Sequence, residues 1–234
     1  MTTGPVLMYH AVNVGEDPYN IQVSPGRLRQ QLSLLRSLGY RGVSVQQLLT
    51  AGKSRDRLVG LSFDDGYTDF LTTAMPILAD FGFTATVYMV AGFLGGTNSW
   101  DPLPPRRSLM TAADLRSVLQ AGHEIGSHGM THTPLRDVAA AMLPHEVADS
   151  QRVLEDALGV PVTGFCYPYG SHNAEAVSEV RRRYEYACAV EASQHHDAWG
   201  LPRVFVGQRD HPLRFAAKLG LRTSRHRLQA RSPG

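Results

Sequence analysis

The 234-residue sequence predicts an α/β fold, a single barrel-like domain of parallel strands joined by crossover helices. Three observations carry this. Short apolar, β-branched runs alternate with amphipathic helical patterns along the chain and never give way to a strand-only stretch. No internal repeat interrupts that alternation, nor does any linker long enough to separate a pair of domains. Polar residues that break the pattern, Asp64-Asp65, His128 and Tyr169, each follow directly on a predicted strand, the end at which parallel α/β folds build their sites. The regular repeats number fewer than the eight of a full barrel, and an open doubly wound sheet is the competing arrangement.

Taken in order, residues 6–9 form the first strand, with His10 directly after it. A Gly/Asp/Pro/Asn-rich loop leads to Ser24-Pro25, an N-cap followed by proline at the first helical position. Leu28, Leu32, Leu35 and Leu38 line one helical face, and Gly39 ends it. A short strand over 42–45 and a short helix over 46–51 precede the apolar run 58–63. That run stops at two carboxylates and a glycine, Asp64-Asp65-Gly66, as a buried parallel strand does where it reaches a rim. A helix over 67–81, distorted at Pro76 and stopped by Gly82, is followed by a strand over 84–90 and a Gly/Pro-rich loop over 92–107 containing Trp100-Asp101. Thr111 caps the next helix with Asp114 at its third position, and a strand over 123–127 ends in His128. Thr133-Pro134 reads as a helix start, which places His132 at its entrance. A helix over 144–158, a strand over 162–167, a helix over 173–183, strands over 186–190 and 201–206, and a helix over 212–219 complete the domain at 1–220. Residues 221–234 are expected to be a basic, disordered tail.

Hydrophobic residues make up 43% and charged ones 19%, which excludes a disordered chain. No apolar run reaches the ~20 residues of a membrane span. The start has neither a basic n-region nor a long apolar h-region, and Cys166 and Cys188 are too few for a disulfide scaffold. If the sequence begins at its natural terminus, a cytoplasmic protein with two buried free thiols is expected. Residues 201–234 carry eight Arg or Lys against Asp210 alone, yet no aromatic follows Phe215, so a nucleic-acid partner is not expected. Oligomeric state is open.

Burying two adjacent aspartates is costly without a cation. The second signal is His128-Gly-Met-Thr-His132, whose two imidazoles can meet one ion if the backbone turns between them. Two imidazoles and one carboxylate make a three-ligand set suited to Zn²⁺ or a first-row neighbour such as Co²⁺ or Ni²⁺, with positions left for water and substrate. Only one aspartate is needed as a ligand, which frees the other to act as a base toward a water that the cation acidifies.

Ser62-Phe63-Asp64-Asp65-Gly66, His128-Gly-Met-Thr-His132 and Tyr167-Pro168-Tyr169-Gly170, in that order, resemble the leading motifs of the polysaccharide deacetylases, the NodB-homology enzymes of carbohydrate esterase family 4. Val6-Leu7-Met8-Tyr9-His10 and Leu201-Pro202-Arg203 resemble the branch containing the poly-N-acetylglucosamine deacetylases. The likeness spans roughly residues 5–215. It implies a distorted (β/α) barrel and a divalent metal, usually zinc. It also implies hydrolysis of acetyl groups from N-acetylated amino sugars, with O-acetyl sugar ester hydrolysis or a catalytically silent carbohydrate-binding barrel as alternatives. By position, Asp64 matches the base, Asp65, His128 and His132 the metal ligands, and the Tyr169 backbone N–H an oxyanion donor.

Two departures stand out. The third motif of much of the family begins with an arginine that orients the base, and here that position is Cys166. Arg203, on its own strand, is the candidate replacement. A late histidine–aspartate motif supplies the general acid in many members, whereas this chain reads Asp210-His211, which leaves His10 and His211 as candidates with His10 ahead. His195-His196-Asp197 with Trp199 reads as a solvated loop, and Trp100 as either a packed loop aromatic or a platform for a sugar ring.

Overall fold

A computed structural model describes residues 4–52, 56–190 and 197–229, with side chains to residue 220. Its strands are β1 (Val6–Tyr9), β2 (Ala11–Val12), β3 (Gln22–Val23), β4 (Tyr40–Val43), β5 (Arg57–Phe63), β6 (Thr86–Met89), β7 (Glu124–Ser127), β8 (Gly164–Cys166), β9 (Tyr186–Ala189) and β10 (Leu201–Phe205). The helices are α1 (Pro25–Ser37), α2 (Val45–Thr50), α3 (Met75–Phe81), α4 (Ala112–Gln120), α5 (Ser150–Leu158), α6 (Ala174–Arg181) and α7 (Pro212–Gln229). The backbone of α7 thus continues beyond residue 219, where the sequence pattern places its end.

The sheet closes on itself. Strands run in the order β1-β10-β9-β8-β7-β6-β5, and β5 pairs back onto β1, all parallel, to make a seven-strand barrel. This is the distorted (β/α) barrel, not the open sheet. β4 pairs with the first half of β5 over Arg57–Gly60, while β1 takes Gly60–Phe63. The two-residue pair β2–β3 is not expected from the sequence, because strands that short leave no periodicity to detect.

The pleat sorts each strand between two apolar clusters. Leu7, Tyr9, Val59, Leu61, Phe63, Val87, Ile125 and Phe165 pack outward with the helices. Val6, Leu58, Tyr88, Cys166, Tyr186, Cys188 and Leu201 fill the barrel interior. Gly126 makes room there, since a Cβ on it would lie 2.6 Å from the Tyr88 ring. Along β5 the same alternation puts Ser62 and then Asp64 on the interior face, at the C-terminal rim.

Caps fix most of the helix starts. Ser24 accepts from the Arg27 N–H, Asn173 from the Ala176 N–H, and Ser44/Gln47 and Thr111/Asp114 form reciprocal capping boxes. The distortion expected at Pro76 is a wide π turn over Phe70–Ala74 just ahead of it, which accommodates the missing proline N–H. A second π turn, His145–Asp149, opens α5. The helix expected from Thr133-Pro134 does not form. Two 3-10 turns, Leu135–Asp137 and Ala140–Met142, occupy that stretch. Among the described residues no helix is long and apolar enough to cross a membrane.

Candidate active site

The C-terminal rim gathers its polar groups from β1, β5, β10 and the turns after β7 and β8. Asp64 and Asp65 are both buried, at 3% and 4% exposure, so each needs compensation for its charge. The chain turns sharply between them and the next helix. Asp65 has φ 73°, and Gly66 (φ +77°) lies so close to the Met89 sulfur that no Cβ fits.

Asp64 is clamped by Arg203. The two guanidinium nitrogens donate to its two oxygens at 2.6 and 2.8 Å, and both side chains are buried. Arg203 also donates to Ser62 Oγ at 3.0 Å, to Cys166 Sγ at 2.9 Å and to the Ala189 carbonyl at 3.3 Å, and it lies over the Tyr88 ring. Burial alone would raise the Asp64 carboxyl, but the combined pull of Arg203, His128 and His10 holds it below the usual range. The guanidinium from β10 therefore reaches Asp64, the contact expected of Arg203 where position 166 is a cysteine. Cys166 itself is kept a neutral thiol, because burial pushes it well up. Ser62, within the apolar run of β5, is an acceptor for Arg203; it stands in the Asp64-Asp65 motif of the sequence without an assigned role, and its hydroxyl on the same face as Asp64 is the signal for one.

Asp65 faces the histidines. Its Oδ1 lies 3.5 Å from His128 Nε2 and 3.3 Å from His132 Nε2, is buried, and has no hydrogen-bond partner. The far nitrogens are anchored: His128 Nδ1 bonds the Cys166 carbonyl at 2.8 Å and His132 Nδ1 the Tyr169 hydroxyl at 3.1 Å. A carbonyl accepts, so His128 Nδ1 carries the proton and Nε2 presents a lone pair. Burial holds His128 down to about 4, hence neutral near pH 7. The Nε2 atoms of two imidazoles and one carboxylate oxygen thus converge on one point, a donor set that fits a Zn²⁺-class cation. Asp64, His128 and Cys166 also lie within ligand distance of one another, but Arg203 already occupies both Asp64 oxygens and the sulfur.

Left-handed backbone is concentrated here. Asp65, His132 (φ 62°) and Tyr169 (φ 57°) join only Asn20 among the described non-glycine residues with positive φ, each a conformation costing on the order of 1–3 kcal/mol. Tyr169 is 58% exposed, and its ring meets the His132 ring at 4.6 Å. Trp100 packs against the His132 ring at 4.7 Å and edge-on to Phe93, so it is a packed loop aromatic beside the site.

Of the two candidate acids, His10 is brought in: its Nε2 is 3.9 Å from Asp64 Oδ2. His211 is exposed, and the described contacts bring it to none of Asp64, Asp65, His128 or His132. Its neighbour Asp210 is instead buried, accepting from the Gly207 N–H at 2.9 Å and from Lys218 at 2.6 Å, which ties the end of the barrel to α7. His195 and His196 lie outside the described residues, while Asp197 pairs with Arg181 and caps the Trp199 N–H.

The family model for polysaccharide deacetylases matches residues 51–188, more than half of the chain. The chain belongs to the polysaccharide deacetylase family. Among relatives, YxkH of Bacillus subtilis strain 168, named for the same family, is 26% identical over 210 residues, covering 86% of this chain and 71% of YxkH. The poly-beta-1,6-N-acetyl-D-glucosamine N-deacetylase of Escherichia coli K12 is 24% identical over 239 residues, and that match spans 85% of this chain and 36% of the larger protein. The deacetylase PplD of Streptococcus pyogenes, solved in complex with acetate, shares the fold with a TM-score of 0.79 at 23% identity, over 92% of this chain and 97% of PplD. The NodB-like barrel of this family is the fold found here.

Proposed function

We propose that this chain is a metal-dependent hydrolase that removes acetyl groups from N-acetylated amino sugars. The observation that carries the reading is the pairing of two unlike carboxylates at one rim: Asp65 facing two imidazoles whose outer nitrogens are fixed, and Asp64 gripped by a guanidinium. Asp65, His128 and His132 would hold the cation, which supplies Lewis acidity to a water and to an acyl oxygen.

The protein's own groups account for the rest. Asp64, kept ionised by Arg203, takes the proton from water as it attacks the acetyl carbon. Arg203 orients that carboxylate with a two-point contact that leaves its torsion fixed. The Tyr169 backbone N–H, held by the left-handed turn after β8, donates to the oxygen that gains charge, a contribution of roughly 3 kcal/mol per donor. His10, beside Asp64 and partly open to solvent, returns a proton to the leaving amine.

Support for an amino-sugar substrate comes from the likeness to the E. coli enzyme, whose name states N-deacetylation of a poly-N-acetylglucosamine. All four of Asp64, Asp65, His128 and His132 are present, which speaks against a silent binding barrel. The test is acetate release from a panel of N-acetylated and O-acetylated saccharides, with metal content measured in parallel. Release from the N-acetyl members supports the proposal. Release confined to O-acetyl esters would replace it with a sugar esterase, and no release from any member by metal-loaded protein would refute it.

A further inference from the structure

We propose that Glu146 is a positioning residue for the cation site, folding the turn from His128 to His132 so that both imidazoles face Asp65. This rests on the metal reading above. Three residues separate the two histidines, and both Nε2 atoms must point to one place. The chain achieves this with Gly129 at φ +81° and His132 at φ 62°, a turn that leaves the strand ladder. Its backbone groups then need partners of their own.

Most of those partners lie nearby in the barrel. The His128 N–H donates to the Met89 carbonyl at 2.8 Å, and the Gly129 N–H to Ser127 Oγ at 3.2 Å. The Gly129 and Met130 carbonyls accept from the Ala91 and Gly92 N–H groups at 2.9 and 3.0 Å. The amides of Met130 and Thr131 turn instead to Glu146, whose Oε2 accepts both at 3.0 Å. Its other oxygen accepts from the Thr131 hydroxyl at 2.5 Å, and that hydroxyl also contacts Thr133 Oγ1 at 2.8 Å.

Glu146 is 5% exposed, and all three of these donors belong to the turn. The wide π turn His145–Asp149 carries it. A Cβ on residue 129 would sit 3.3 Å from Glu146 Oε2, so glycine lets the carboxylate close on the turn. Glu146 touches neither Asp65 nor an imidazole in any described contact; it acts through the backbone between the two ligands.

The experiment measures the dissociation constant for Zn²⁺ by competition with a chromophoric chelator, on folded full-length protein, together with kcat and KM at saturating metal. Glu146→Ala is expected to weaken metal binding about 10–100-fold, the range for lost outer-sphere support, with kcat largely recovered at saturating metal. Glu146→Gln is expected to stay within a few-fold of wild type. Its amide oxygen can accept both N–H bonds, and its NH₂ can donate to Thr131 Oγ1. If Glu146→Ala does not fold, Glu146→Asp serves, its oxygens withdrawn by one methylene, with an intermediate loss expected. Wild-type affinity in the Ala or Asp variant, or a loss in Gln equal to that in Ala, overturns the positioning role while leaving the metal reading intact. A wild-type protein that takes up no Zn²⁺ overturns both.

Discussion

Replacing Arg203 by methionine would leave the Asp64 carboxylate buried without its counter-ion. Asp64 and Arg203 are 3% and 2% exposed and share two charge-assisted bonds of 2.6 and 2.8 Å, so neither keeps a water shell when its partner is removed. Breaking one side of such a buried pair costs about 3–5 kcal/mol, mostly as the penalty of the stranded charge. The double variant Arg203→Met/Asp64→Asn strands no ion, so its loss is expected to fall short of the sum of the single losses by about 2–3 kcal/mol. The assay is urea unfolding of the four proteins at one pH with a chelator present, so that metal binding does not enter, and with m-values compared to verify a common reference state. Additivity within ~0.5 kcal/mol would refute the reasoning, because independent sites behave that way.

Three further outcomes follow from the same geometry. His123 is buried, accepts from the Ala85 N–H at Nδ1, and is held down to about 4 by burial from its ordinary 6.5. Its folded-state pKa is depressed, so the unfolded chain binds the extra proton first. Stability is full above pH 6.5 and falls by on the order of 3 kcal/mol toward pH 4, and His123→Gln should flatten that slope in unfolding measured across the window. Cys166→Arg alone places a second guanidinium in the barrel against one carboxylate and should abolish soluble folded protein, whereas Cys166→Arg combined with Arg203→Cys should restore it by circular dichroism. Asp64→Asn should lower kcat by about 10²–10⁴-fold in acetate release, the usual worth of a general base, without moving metal affinity more than a few-fold.

How far the site could be read from the chain depends on how its components are spaced. Asp64-Asp65 and His128/His132 are visible because the proposed ligands and base lie in short contiguous runs at strand ends. Arg203 could be found only through Cys166, a neutral side chain standing where a charged partner was needed. Glu146 left no trace of that kind: an acidic residue two positions after Pro144 reads as an ordinary helix first turn, and its partners are backbone amides 15 and 16 residues away. The expected helix at Thr133-Pro134 misleads for a related reason. A threonine followed by proline suits a 3-10 turn as well as a helix start, and here Thr133 Oγ1 meets Thr131 Oγ1, in the turn that Glu146 organises. The barrel's closure is likewise a long-range event, settled by β5 pairing with β1 across more than fifty residues, which no local pattern encodes.

One cation gripped by Asp65, His128 and His132 underlies the whole proposed chemistry. Elemental analysis of purified wild-type protein, Asp64→Asn and His132→Ala, each dialysed after loading with Zn²⁺, tests it directly. About one equivalent per chain in the first two and almost none in the third is the expected result. Equal metal in all three, or none in any, would contradict it.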